Sequence, residues 1–443
     1  MTPNQPQPLN QPVPPPPREP ASATLAPTKT RAILAGAIGN MLEWYDFAAY
    51  GYFSAVIGRN FFPSENHTTS LLSAFAVFAA AFFMRPFGGV VFGHIGDRLG
   101  RKAALVLSAG LMTVSTFAIG CLPTYDTAGL LAPMLLVVMR LGQGLSVGGE
   151  YTASATFLAE TAEPARRGLM GSLACVGSCV GIMAGSILGV ILTSLLTPDE
   201  VRAWGWRIPF LLGIVLGAVI SVLRRHMDEA QPLDVAAGAD EPSPLRAAVD
   251  LHAGDMLRAF VMNLGLAASF YVVFVYLVTY LQREDGLPSS TAFLLNSLAM
   301  AVLTAFIPFA GALSDRIGRK TLLAGSAGGL AVLSWPLFGM IATEEPTLIL
   351  VAQIGFAVLI AGYGAVLPTA LVEMFQQRAR CTSLAISYNA AMALAGGTAP
   401  MVATWIVHHL ALPTGPGLYI GGLALVSLAA ILTMSDASGR PLA

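Results

Sequence analysis

The sequence predicts an all-α membrane protein, twelve transmembrane helices in two pseudo-symmetric six-helix bundles, and three observations carry that prediction. Of the 443 residues 55% are hydrophobic and only 11% charged, too few charges to cover a water-soluble globule of this size. The stretch Gly93-His-Ile-Gly-Asp97-Arg98-Leu-Gly100-Arg101-Lys102 returns 218 positions later as Gly311-Ala-Leu-Ser-Asp315-Arg316-Ile-Gly318-Arg319-Lys320, each copy a short basic turn between two long apolar runs. A second pair of turns repeats as well, Glu160 and Arg167 corresponding to Glu373 and Arg380 at an offset of 213. A duplication inside a membrane protein explains all three.

In chain order, residues 1–28 are rich in Pro, Gln and Ala and cannot bury enough apolar surface to fold, so they are expected to form a disordered tail. The first apolar run is long enough to span and is followed by many more, which argues against a cleaved signal peptide. About 20 residues cross the hydrocarbon core. Spans 1 to 12 are therefore expected near 31–57, 70–95, 103–122, 129–158, 166–195, 206–224, 256–281, 290–313, 321–342, 346–374, 379–408 and 416–434. The polar segment 225–255 reads as a cytoplasmic linker between bundles 29–224 and 256–434, and 435–443 as a C-terminal tail.

Orientation follows from the basic residues. Lys29, Arg31, Arg98, Arg101, Lys102, Arg166, Arg167, Arg224, Arg225, Arg316, Arg319, Lys320, Arg378 and Arg380 fall on tails or even-to-odd connections. Arg59, Arg202, Arg207 and Arg283 fall on the others. The bias places both termini in the cytoplasm and the chain in the inner membrane. A net charge of -1 leaves no basic face for nucleic acid. Cys121, Cys175, Cys179 and Cys381 match no zinc or redox spacing, and neither His94 nor His408 and His409 has a metal-ligand partner at a convincing spacing.

The paired Asp-Arg-x-Gly-Arg-Lys turns, with Arg140-Leu-Gly-Gln143-Gly144 in span 4, resemble the signature of the major facilitator superfamily. More narrowly, four motifs resemble the metabolite:proton symporters, whose members include citrate, 2-oxoglutarate, shikimate and proline/betaine carriers. They are Gly39-Asn40-Met-Leu-Glu43-Trp44-Tyr45-Asp46-Phe47, Met84-Arg85-Pro86-Phe-Gly88-Gly89, Gly144-Leu-Ser-Val-Gly148-Gly149-Glu150-Tyr151 and Trp204-Gly-Trp206-Arg207-Ile-Pro209-Phe210. The resemblance implies the twelve-helix major facilitator fold, with a central cavity lined mainly by spans 1, 4, 7 and 10. It also implies a monomer that imports a small polar metabolite by alternating access, with protons as coupling ions and no cofactor. In that family the paired turns form a conformational latch. Here it would comprise Gly93, Asp97, Arg98, Gly100, Arg101 and Lys102 with Asp315, Arg316, Gly318, Arg319 and Lys320; an aspartate at a helix end can accept hydrogen bonds from a neighbouring helix N-terminus.

An ionised side chain in hydrocarbon costs roughly 2.5 to 3.5 kcal/mol on insertion scales, so those inside spans need a reason. Glu43 and Asp46 in span 1, Arg85 in span 2 and Arg140 in span 4 fall at similar depths near the midplane. They can form salt bridges that hold the bundle together, or bind a proton and a carboxylate. Asp46 is the first candidate for the proton, then Glu43; Glu150, nearer the end of span 4, can either pack or take part in coupling. Arg85 and Arg140 are candidate substrate anchors because guanidinium matches carboxylate with paired donors; Gln143 joins them.

The second half offers neutral polar groups. These are Asn263, Ser269, Tyr271, Tyr276 and Tyr280 in span 7, Gln353 and Tyr363 in span 10, and Tyr388 and Asn389 in span 11. No nucleophile–base pair or metal cluster stands at membrane depth, which argues against an enzyme. Arginines in the cavity favour an organic acid such as citrate or another di- or tricarboxylate. The short stretch after Met434, without the coiled-coil tail of betaine-type carriers, points the same way. A proline or glycine-betaine symporter, or a uniporter or exporter of the same superfamily, is the alternative.

Overall fold

A computed structural model describes residues 40–41, 43–99, 101–148, 150–225, 244–377 and 379–442. Among these, nine helical stretches are long and apolar enough to cross a bilayer, from His67–Phe92 to Gly415–Thr433. Shorter apolar helices at Val106–Cys121 and Gly205–Val219 supply spans 3 and 6, and span 1 is described from residue 40 to Phe61. The expected 1–28 tail lies outside the described residues. Leu195, Phe309, Val332 and Val90 are among the most exposed side chains, as helix faces turned to lipid would be.

One boundary differs. The helix of span 7 starts at Pro244, inside the segment expected as linker, and runs unbroken to Tyr271. Proline is well placed in a first helical turn, where its missing N–H leaves nothing unpaired. The polar extension that follows is anchored by His252, which is buried edge-on against Phe375 at 5.6 Å. Residues 226–243 of the expected linker lie outside the described residues.

Several spans are interrupted, for local reasons. Span 2 breaks at Met84 between His67–Phe83 and Arg85–Leu99, where Pro86 lacks the N–H that would bond back to Phe82. Spans 7 and 11 each widen into a π-turn, at Val272–Tyr276 and Met392–Gly397, the second just before Pro400. The two turns approach the same cluster: a β-carbon on Gly396 would meet Tyr271, and one on Gly397 would meet Phe82.

The halves meet chiefly along span 5 against span 8 and span 2 against span 11, while spans 3 and 6, and 9 and 12, pack within their own halves. The motif glycines of spans 2 and 4 are where two backbones touch. A β-carbon on Gly88 would overlap the Leu145 carbonyl, one on Gly144 the Ala81 carbonyl, and one on Gly148 the backbone at Gly89. This crossing brings Arg85 and Arg140 to one depth.

Candidate functional site

Span 1 carries the centre of the site. Glu43, Asp46, Arg85 and Arg140 are all buried, at 5%, 5%, 1% and 0% exposure. Arg85 lies 3.8 Å from Glu43, an ion pair too long for a hydrogen bond. Its guanidinium stands 4.3 Å from the centre of the Phe82 ring, 4.5 Å from Phe47 and 5.6 Å from Trp44. Arg140 shares Phe47 at 4.9 Å and adds Tyr50 at 4.1 Å. Ring quadrupoles thus supply part of what water would give two buried cations.

Asp46 belongs to a different chain of contacts. Arg140 donates to Gln143 at 2.8 Å, Gln143 donates to the Thr116 hydroxyl at 2.7 Å, and Thr116 donates to Asp46 at 2.7 Å. The carboxylate therefore faces spans 3 and 6, beside Thr116 and Gly213, behind the wall of the central cavity. Four polar side chains from spans 1, 3 and 4 form one directional relay. Thr116 donates to Oδ2 alone, so a proton taken up on Oδ1 would keep this bond but weaken it, by removing the charge from its acceptor.

Between the halves lies a small cavity of about 30 Å³. Its walls include Trp44, Tyr151, Phe270, Tyr388, Cys179 and Met392, so spans 5, 8 and 11 contribute as well as the expected 1, 4, 7 and 10. Tyr151 and Tyr388 stack across the halves at 5.0 Å and 22°, Trp44 stacks on Tyr271 at 6.2 Å, and Phe270 meets Trp44 edge-on at 6.1 Å. Arg85, 5.6 Å from the Trp44 ring, is the nearest of the buried cations to this aromatic box.

The remaining expected residues scatter. Tyr271 joins the aromatic box, and Asn389 crosses to the Gly148 carbonyl of span 4 at 3.3 Å. Tyr363 donates to Met262 and Asn263 to the Tyr388 carbonyl, both within the second half, and Ser269 bonds back to Leu266. Tyr276 and Tyr280 pair with each other at 6.1 Å toward the end of span 7, with Tyr280 reaching Pro413. Gln353 is fully buried without a hydrogen-bond partner among the described residues, and Glu150 opens the second segment of span 4, half-buried. Thr116, which completes the relay, carries no signal in sequence beyond being a threonine in an apolar run; Trp44 and Tyr151 lay inside the quoted motifs without being singled out.

At the basic-loop end the halves are tied together. Asp315 accepts from the backbone N–H of Gly168 and Leu169, at 2.8 and 3.0 Å, at the start of span 5. Arg319 donates to Asp315 at 2.7 Å and reaches Glu373 at 3.3 Å, and Arg167 crosses from the other half to the same Glu373 at 3.0 Å. Arg380 answers with Glu160 at 2.6 Å. Gly311 fits because span 8 crosses span 5 at Gly168, where a β-carbon on either would crowd the other's carbonyl. Gly318 turns the chain at φ 92°, a conformation glycine reaches without a side-chain clash. Arg319 and Lys320 donate their N–H groups to Ser438 and Asp436, which cap span 9, while the Arg440 carbonyl accepts from Arg167. Arg316 extends from this turn within span 8. The side chains of Asp97, Arg98, Arg101 and Lys102, the surroundings of Gly93, and all of Gly100 lie outside what the structure describes.

The sequence profile of the Major Facilitator Superfamily matches residues 36–380 and 259–442. The chain is 36% identical over 405 residues to a putative proline/betaine transporter of Staphylococcus aureus, covering 90% of this chain and 87% of that one. It is 31% identical over 423 residues to the proline/betaine transporter of Escherichia coli, covering 93% and 84%. A D-xylose-proton symporter structure superposes with a TM-score of 0.75 over 94% of this chain and all of that one, at 19% identity. The partially occluded xylose transporter of E. coli gives 0.74 at 18% identity. The organic-acid preference drawn from Arg85 and Arg140 finds no support among these relatives; both guanidiniums lie against rings of their own bundle, and each keeps its Nε and Nη2 without a hydrogen-bond partner among the described residues. With profile, relatives and fold in agreement, the chain belongs to the Major Facilitator Superfamily as a multi-pass transporter, not an enzyme, and within it to the metabolite:proton symporters.

Proposed function

We propose that this transporter imports a small zwitterion of the proline or glycine-betaine kind together with a proton, across a bacterial inner membrane with the basic loops in the cytoplasm. The observation that carries the reading is the aromatic box of Trp44, Tyr151, Phe270 and Tyr388 with Arg85 at its edge. A quaternary or secondary ammonium is attracted to ring faces without needing a carboxylate partner. The substrate carboxylate would turn to Arg85, competing with Glu43 for its guanidinium. A tricarboxylate, by contrast, would bring three charges against walls whose cavity-facing surface is almost wholly apolar, with Arg85 the buried cation at the edge. The curated relatives named for proline and betaine support the same choice.

A cavity of about 30 Å³ has room for a water molecule, not for betaine, so this arrangement is a closed one from which the box must widen. Coupling requires proton and substrate to bias the same equilibrium. Asp46 does so through Thr116, Gln143 and Arg140, while the substrate acts on Arg85; Phe47 lies against both arginines and joins the two events. The Asp315, Arg319 and Glu373 cluster is the clasp that closes the cytoplasmic end.

The test is uptake into proteoliposomes, under an inward proton gradient, of radiolabelled proline, glycine betaine, citrate, 2-oxoglutarate and shikimate, with Trp44→Ala alongside. Proline or betaine should accumulate, collapse with an uncoupler and fail in Trp44→Ala. Accumulation of citrate or 2-oxoglutarate instead, or wild-type uptake in Trp44→Ala, would refute it.

A further inference from the structure

At the end of the bundle opposite the basic loops, a pocket of about 440 Å³ opens between the halves. Three arginines line it: Arg59 at the end of span 1, Arg202 on the short helix Pro198–Ala203, and Arg283 at the end of span 7. Asp199 is the acid in the same wall, so the lining is net positive. Among the described residues none of the three arginines has a carboxylate within 4.0 Å, although Arg283 makes a long contact of 3.5 Å to the His67 carbonyl. Arg59 and Arg283 belong to opposite halves; the charge of Arg59 acts on Arg283 across the gap and is partly offset by the neighbouring Glu284, while Arg59 and Arg202 are exposed to solvent. Arg207, the fourth arginine on this side of the sequence, serves structure: it donates to the Gly120 and Leu122 carbonyls at 2.8 and 2.6 Å and packs on Trp206.

We propose that Arg59, Arg202 and Arg283 form a small-anion site at the mouth of the transporter, separate from the central aromatic box. Guanidinium groups brought together without carboxylate partners repel, and an anion among them converts that repulsion into charge-assisted hydrogen bonds. The pocket also receives Gln282 and the first residues of span 8, Ser289 and Ser290, whose N–H groups point out of an end that no side chain caps. Because Arg59 and Arg202 stand on one half and Arg283 on the other, a bound anion pulls the halves together here and favours closure of this end. The anion comes from one of two sources, the carboxylate of an arriving substrate or an inorganic ion of the medium.

The site goes beyond the central transport reading and is tested without transport. Radiolabelled acetate and, in a separate arm, radiolabelled chloride are bound to the purified full chain in nanodiscs, in a chloride-free sulfonate buffer. At least one should bind saturably, about tenfold or more weaker in Arg59→Gln and in Arg283→Gln, with much of the loss restored in Arg59→Lys, as expected for charge-assisted contacts. Thermal unfolding of each variant shows whether it is folded. Acetate displaced by glycine betaine but not by chloride assigns the site to the substrate carboxylate; acetate displaced by chloride at lower concentration assigns it to an inorganic anion. Saturable binding of neither probe, or binding indifferent to both arginines in folded variants, overturns the site. Failure of betaine uptake with anion binding intact would count against the transport reading alone.

Discussion

Arg167 of the first half and Glu373 of the second lie 3.0 Å apart, each 3% exposed, and the same Glu373 receives Arg319 from its own half. The mirrored pair, Arg380 with Glu160, is shorter at 2.6 Å, yet its Glu160 is 38% exposed. The duplicated turns thus make two crossed ion pairs of unequal burial. Removing one partner of a buried pair strands the other, at a cost of about 3 to 5 kcal/mol, whereas Glu160 is partly in solvent and Arg380, though 2% exposed, keeps a hydrogen bond to the Phe375 carbonyl when Glu160 is lost. Glu373→Gln should therefore open the basic-loop end, seen as a longer distance between spin labels on spans 5 and 8, while Glu160→Gln should shift it much less. Equal effects would show that burial does not set the strength of the clasp.

The relay to Asp46 depends on a hydroxyl. Thr116→Val keeps the shape but removes both the donor to Asp46 and the acceptor for Gln143, and a buried group left unpaired costs about 1 to 3 kcal/mol. Uptake should fall in Thr116→Val and recover in Thr116→Ser. Full activity in the valine variant would remove Thr116 from the relay.

The span 2–span 4 crossing gives an internal control. Gly144→Ala drives a methyl into the Ala81 carbonyl, whereas on Gly89 the nearest atom is the Gly148 carbonyl oxygen at 3.2 Å. Overpacking typically costs about 1 to 3 kcal/mol. Gly144→Ala should lower the unfolding temperature and Gly89→Ala much less, measured by thermal unfolding in detergent.

Asp285, on the connection between spans 7 and 8, has its carboxyl pushed up to about 7 by burial and by the nearby Glu344 and Glu284. Because the folded value lies above the ordinary one near 4, the native state holds the proton longer than the unfolded chain does. The stability this contributes is complete at low pH and is lost as pH rises from about 4 through about 7. Asp285→Asn should raise the unfolding temperature at pH 8 and lose that advantage near pH 4. An advantage independent of pH would contradict the assignment.

Much of this fold was legible in the chain because bilayer crossing leaves long apolar runs and duplication leaves paired turns. Asp315, Arg319, Glu160 and Glu373 stood out for that reason, being charged residues in repeated positions. The start of span 7 at Pro244 was not legible, since an amphipathic helical extension reads as polar linker until His252 is seen against Phe375. The midplane charges could be named but not paired. Glu43 and Asp46 are three residues apart, yet one meets Arg85 and the other turns toward span 3, and only the approach of Thr116 decides that. Arg85 and Arg140 suggested a substrate of several carboxylates because sequence shows two cations without showing the rings packed against them.

The claim that Asp46 couples the proton to the substrate is tested most directly by comparing two assays of Asp46→Asn in the same proteoliposomes. One is accumulation of glycine betaine driven by an inward proton gradient; the other is counterflow, exchange of labelled for unlabelled betaine with no gradient. The account predicts that accumulation is lost while counterflow persists, since an uncharged side chain at Asp46 leaves the aromatic box intact and removes only the titrating group. Uncoupler-sensitive accumulation at the wild-type level in Asp46→Asn would contradict it.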